Sequence, residues 1–117
     1  MTVARGGTPA GCSSPTRATF GGGQTSPAVS DVIDYVTIGS TGNATDFGNL
    51  SVARHSLSGV SNNTRGVFMG GLEPAYGSTM DYVTIASTGN AADFGDLFVA
   101  HSRSGNSSDN HGGLQSA

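Results

Sequence analysis

The sequence predicts an all-β protein assembled from a repeated four-stranded antiparallel module, and three observations predict it. The first is a repeat. Ile33-Asp34-Tyr35-Val36-Thr37-Ile38 returns as Met80-Asp81-Tyr82-Val83-Thr84-Ile85, and Asp46-Phe47-Gly48-Asn49-Leu50 returns as Asp93-Phe94-Gly95-Asp96-Leu97, both after 47 positions. A spacing of that size marks one structural unit used more than once. The second is punctuation: 19 of 117 residues are Gly, and Ser, Thr and Asn separate short apolar runs in the manner of tight turns. The third is period. The apolar runs alternate, and no window carries the 3.6-residue spacing of an amphipathic helix.

Residues 1–16 read as a partial repeat of overhanging strands, 17–64 as repeat 1, and 65–117 as repeat 2 with a truncated terminal strand segment. In the first part, Thr2-Val3-Ala4-Arg5 matches Ser51-Val52-Ala53-Arg54, and Ala10–Ser14 matches Leu57–Ser61. Arg17–Gly22 and Arg65–Gly71 read as strands closing on glycine pairs, Gly21-Gly22 and Gly70-Gly71. A glycine there permits positive φ or close backbone approach. Gly23–Ser30 and Leu72–Thr79, with Pro27 and Pro74, read as loops and differ most between copies.

Val32–Ile38 and Met80–Ile85 are apolar on both faces and are expected as interior strands. Ser40-Thr41-Gly42-Asn43 and Ser87-Thr88-Gly89-Asn90 are turns. Phe47–Ala53 and Phe94–Ala100 are expected as fourth strands. Ser102–Ser108 reads as a weak copy of the Leu57–Ser61 strand, and Asp109–Leu114 as a shortened glycine-pair segment. Four short antiparallel strands in each period of about 40–50 residues are the pattern of β-propeller blades.

Composition narrows function. The net charge is −3 and all five basic residues are arginine, so no basic surface is expected to hold nucleic acid. The single cysteine, Cys12, excludes an internal disulfide framework. It stands where the next copy has Val60 and reads as a small buried filler. No secretory leader or membrane span is recognisable, so neither export by that route nor membrane insertion is expected.

Several residues invite a chemical role and are better read as structure. Asp46-Phe47-Gly48 and Asp93-Phe94-Gly95 spell the magnesium motif of kinases, but a lysine-free chain lacks the rest of that machinery. Each Asp is expected to cap its turn and each Phe to pack between sheets. His55 and His101 read as one position in successive repeats. Together with His111 they suggest a metal on an oligomer axis, against the plainer reading of a ring bonded to a nearby loop. Asn43, Asp46, Asp93 and Asp96 offer oxygen ligands without calcium-loop spacing. No metal or cofactor is therefore assigned.

Arg5, Arg17, Arg54, Arg65 and Arg103 are expected to pair with Asp31, Asp34, Asp81 or Asp96, since a planar guanidinium bridges carboxylates and carbonyls. Glu73 is the single Glu, and paired carboxylates for glycoside hydrolysis are not evident, so no enzymatic activity is expected. The loops are the candidate binding surface, through Gln24, Thr25, Ser26, Glu73, Ala75 and Tyr76, where a Tyr ring could stack on a sugar.

Arg54-His55, Val67-Phe68-Met69-Gly70-Gly71, Asp81-Tyr82-Val83 and Phe94 together resemble the kelch repeat. In that family a strand ends on a glycine pair, a Tyr follows in the next strand and a Trp in the fourth. Here Phe47 and Phe94 stand in the Trp position. The repeated structural positions on this resemblance are Gly21, Gly22, Tyr35, Asp46, Phe47, Arg54, Gly70, Gly71, Tyr82, Asp93 and Phe94. Ile-Asp-Tyr-Val-Thr-Ile, Ser-Thr-Gly-Asn-Ala, Asp-Phe-Gly-Asp-Leu, Val-Ala-Arg and the terminal His-Gly-Gly-Leu are similar to tandem repeats in structural proteins of marine, especially cyanobacterial, phages. That resemblance implies a virion component: a tail fibre, another appendage or a capsid-attached protein.

Two kelch-like blades with overhanging strands cannot close a ring, because propellers need about four or more. Completion by homo-oligomerisation is expected, with a trimer favoured by analogy to threefold fibres and a dimer as the other option. The expected partners are further copies, other virion proteins and a host-surface glycan. The alternative is a lectin-like, carbohydrate-binding propeller that acts alone.

Overall fold

A computed structural model describes residues 1–72, 75–103 and 105. Every regular element in that range is a strand: β1 Ala10–Ser13, β2 Arg17–Gly21, β3 Val32–Thr37, β4 Thr45–Asn49, β5 Ser58–Ser61, β6 Arg65–Met69, β7 Thr79–Thr84 and β8 Ala92–Asp96. They form two four-stranded sheets in the orders β1-β2-β3-β4 and β5-β6-β7-β8, and all neighbours are antiparallel. The all-β expectation and the four-strand module both hold. As expected, β3 and β7 are interior strands, each paired on both sides.

The two sheets repeat in register as well as in order. Thr19 faces Tyr35 and Val67 faces Tyr82 across the middle ladders. A bulge falls between Ile33 and Asp34 and again between Met80 and Asp81. A bulge bends its strand and re-aims a side chain, and here each one precedes a buried Asp.

Three expectations on the fold need correction. The fourth strands begin earlier and end earlier, at 45–49 and 92–96; after β4 the chain leaves its sheet, and Ser51 and Arg54 reach Asp81 of the next one. Asp46 and Asp93 therefore sit within strands, not as turn caps. The equivalent glycine pairs are Gly22-Gly23 (φ 71° and 109°) and Gly70-Gly71 (φ 66° and 108°). Gly21 instead ends β2, where a Cβ would lie 3.0 Å from the Phe68 ring. Of Ser102–Ser108, residues 102, 103 and 105 are described and lie in no strand. The rest of that segment and Asp109–Leu114 fall outside the described residues.

The core lies between the sheets. Ile33, Phe47, Phe68, Val83 and Ile85 are buried with Ala10, Cys12, Leu50 and Leu57, and β1 packs on β5 and β6. Glycine lets strands approach closely there: Gly59 and Gly66 lie so close to β1 that a Cβ would meet the Gly11 carbonyl at 2.7 Å and the Cys12 Cβ at 2.9 Å. The small residues of the sequence thus serve close sheet packing as much as turns.

Candidate functional site

The chain builds one constellation twice. The segment before each sheet reaches onto it as a hook and grips the Asp that follows the bulge. In the first copy, Thr2 donates to Asp34 through its backbone N–H (3.1 Å) and its hydroxyl (2.5 Å). The Arg5 guanidinium donates to the same carboxylate at 2.6 Å and to the carbonyls of Val32 and Phe20. In the second, Ser51 donates to Asp81 at 3.0 and 2.6 Å. Arg54 donates to Asp81 at 3.1 Å and to the Phe68 carbonyl at 3.2 Å.

Each pair is shut away from water, at most 1% of any of the four side chains being exposed. Such burial is tolerable because each carboxylate takes several donors and each guanidinium several acceptors. Ser/Thr three residues before Arg is the local rule that makes the hook: one short donor and one long planar donor meet a single carboxylate.

The expected Arg–Asp pairing is thus met by Arg5–Asp34 and Arg54–Asp81. Arg17 and Arg65 do something else: their guanidinium carbons sit 4.1 and 4.4 Å from the ring centres of Tyr35 and Tyr82, a favourable cation–π stack. Tyr35 and Tyr82 in turn meet Phe47 and Phe94 edge-on, at 5.9 and 6.0 Å. Among the described residues, neither Asp31 nor Asp96 takes part in an ion pair.

His55 and His101 are not the same position. The Gly23 N–H donates to the Arg54 carbonyl, and the Gly71 N–H donates to the His101 carbonyl. His101 therefore stands in the place of Arg5 and Arg54, and Arg103 in the place of Thr8 and Ser56, which share its positive φ of 54–58°. The third hook segment reads Phe98-Val99-Ala100-His101 where the others read Thr/Ser-Val-Ala-Arg. It has lost both gripping groups, and Phe98 and Val99 are exposed. His111 lies outside the described residues, and no three His, Cys, Asp or Glu side chains cluster among the rest.

The joint between the sheets is also specific. The turn after β7 lies along the outer edge of β4. Gly89 N–H donates to the Phe47 carbonyl (2.7 Å), Ala91 N–H to the Asn49 carbonyl (2.8 Å), and Asn90 Oδ1 accepts from Asn49 N–H (3.0 Å). Gly48 must be glycine there, since a Cβ would run into the Gly89 carbonyl. Arg17 closes the joint by donating to the Ile85 carbonyl at 2.9 Å. Cys12 is buried beside the Val60 and Val67 carbonyls; burial pushes its thiol up to about 12, so it is a filler and not a nucleophile.

The loop residues singled out from sequence are only partly free. Gln24 bridges Gly6 and Val29 through its backbone, and Leu72 bridges His55 and Tyr76, so the loops brace the hooks. Thr25 bonds Ala28. Ser26 and Ala75 are exposed, as is the Tyr76 side chain. Glu73 lies outside the described residues. Sequence reasoning missed the roles of Thr2 and Ser51, although their recurrence three residues before Arg was the signal. No protein-family model matches this chain, and no curated protein matches it significantly.

Proposed function

We propose that this chain is a non-enzymatic structural protein that builds or decorates a virion, as a tail fibre, appendage or capsid-attached component, with its two kelch-like blades completed by further copies of itself. One observation carries the proposal. Equivalent apolar residues differ in burial where a neighbouring sheet is present or absent: Ile85 is 0% exposed and Ile38 54%, Phe47 2% and Phe94 47%. Each outer face thus leaves half exposed an apolar side chain whose counterpart inside the joint is removed from water.

Three copies would supply six blades and two copies four, both within the range of closed propellers. The virion assignment comes from the resemblance to marine phage repeats. The buried ion pairs, each repeated in register, support a scaffold role over catalysis, because the titratable groups of the described core serve the frame.

Native mass spectrometry of the purified chain, with immunolabelling of particles that contain it, tests the proposal. A multiple of the chain mass and label on the particle surface are expected. A monomer at tens of micromolar overturns the assembly, and label absent from particles overturns the virion role.

The exposed Tyr76, on a loop that varies between repeats, favours a second role in binding a host-surface glycan. Loss of glycan-array signal in Tyr76→Ala, with assembly unchanged, is the expected result.

A further inference from the structure

We infer that two copies join head to tail, the Phe20–Val36–Ile38 face and Gly42–Ala44 turn of one seating on the Tyr82–Phe94 face and outer β8 edge of the next. This inference rests on the self-association proposed above and names its faces. Inside the chain the first sheet offers β4 and the second sheet offers the Gly89–Ala91 turn. The first sheet carries its own copy of that turn, Gly42-Asn43-Ala44, with nearly the same glycine φ (156° against 153°) and nothing within 4 Å of a Cβ at either glycine. The second sheet carries its own copy of the receiving edge, Phe94-Gly95-Asp96. Gly95 keeps the φ of 144° with nothing within 4 Å of a Cβ. Gly95 thus keeps the backbone shape and the open edge with which Gly48 receives the turn.

The two faces complement each other and not themselves. In the internal joint the turn supplies two N–H donors and an amide oxygen, and the edge supplies two carbonyls and one N–H. Turn on turn would set donors against donors. Head to tail also gives Arg65 the acceptor that Arg17 has, namely the Ile38 carbonyl of the next copy in place of Ile85.

The junction is not a perfect copy. Val60 replaces Cys12, Met69 replaces Gly21 and Ala18 replaces Gly66, so the inner strands are held further apart than within the chain. One hook is also in excess, because Thr2–Arg5 and Phe98–His101 claim the same place at the junction. Thr2–Arg5 keeps it, since it alone carries the groups that grip Asp34, and the Phe98–His101 segment gives way.

Two exposed substitutions test the faces without entering the fold. Ile38→Asp disables one face and Phe94→Asp the other. In sedimentation velocity each variant alone is expected to be monomeric while melting within a few degrees of the parent. Their mixture is expected to form one-to-one dimers and nothing larger, through the one intact junction. Dimers of Phe94→Asp alone would mean face-to-face pairing and overturn the inference. Parent-sized assemblies of both variants would overturn the face assignment and leave self-association standing; a monomeric parent would overturn both.

As a second readout, Ala44→Cys combined with Asp96→Cys places thiols where Ala91 and Asn49 meet in the internal joint. Oxidation is expected to give a ladder of linked chains, and a single-chain band overturns the inference.

Discussion

Phe47 and Phe94 hold the same place in consecutive sheets, each edge-on to a Tyr that carries an Arg on its face. One is buried and the other half exposed. The local cluster is therefore built by each sheet alone, from residues brought together by strand register. Burial is supplied by the next sheet. The same split separates Ile85 from Ile38 and Gly48 from Gly95. A repeat protein of this kind is a sum of modules and joints, and this chain holds one joint made, with the turn and the edge that form it each present a second time.

The largest expected effect lies at the hooks. Arg54→Ala leaves Asp81 buried without its cation, and loss of about 3–5 kcal/mol is expected in denaturant unfolding. A double change of Arg54→Met with Asp81→Leu is expected to recover most of that loss, because two apolar groups replace a pair that was costly to dehydrate. If the single change is silent, the hook does not hold the second sheet.

Next come the paired core positions. Phe68→Ala is expected to cost about 3–5 kcal/mol, a full large-to-small deletion. The half-buried equivalent Phe20→Ala is expected to cost about 1–2 kcal/mol in the monomer, in proportion to the smaller area it removes from water. Equal losses would mean that the joint adds nothing to the sheet.

A smaller difference separates the edge glycines. Gly48→Ala and Gly95→Ala meet the same backbone strain of about 1–2 kcal/mol. Only the first also meets the Gly89 carbonyl, so its melting temperature should fall several degrees further, on the order of 4–8 °C per kcal/mol for a chain of this size.

The smallest effect concerns Cys12. Its ordinary thiol pKa of 9.0 is raised by burial to about 12. A neutral thiol is thus favoured by folding: the contribution is complete below pH 9 and is lost as pH rises from 9 towards 12. Native labelling by a thiol reagent at pH 8 is expected to be slower than in denaturant by at least about a hundredfold, since the thiolate is the reactive form. Equal rates would place Cys12 at an open surface and loosen the joint it fills.

Much of the frame was legible in residues. Alternation and turn chemistry gave the strands, and the Asp34/Asp81 repeat with the matching Arg5/Arg54 gave the ion pairs by type. Alignment was less legible. The connection from β2 to β3 is one residue longer than that from β6 to β7, so the spacing is 48 through the glycine pair and 47 after it, which puts the pair at 22–23 and not 21–22. His101 stands on the 47-residue spacing from Arg54, and the shared residue type drew the match to His55 instead. The buried or exposed state of Phe94 could not be read from its own sequence, which matches that of Phe47. It depends on whether another sheet lies beside it, a property of the neighbour and not of the repeat.

Hydrogen exchange followed as a function of protein concentration reads the proposed junction at single amides. The amides of Gly42 and Ala44 and that of Asp96 are expected to gain protection together as the chain associates, matching those of Gly89, Ala91 and Asn49, which are hydrogen-bonded within the chain. Association with protection on one sheet only, or with neither segment protected, would contradict it.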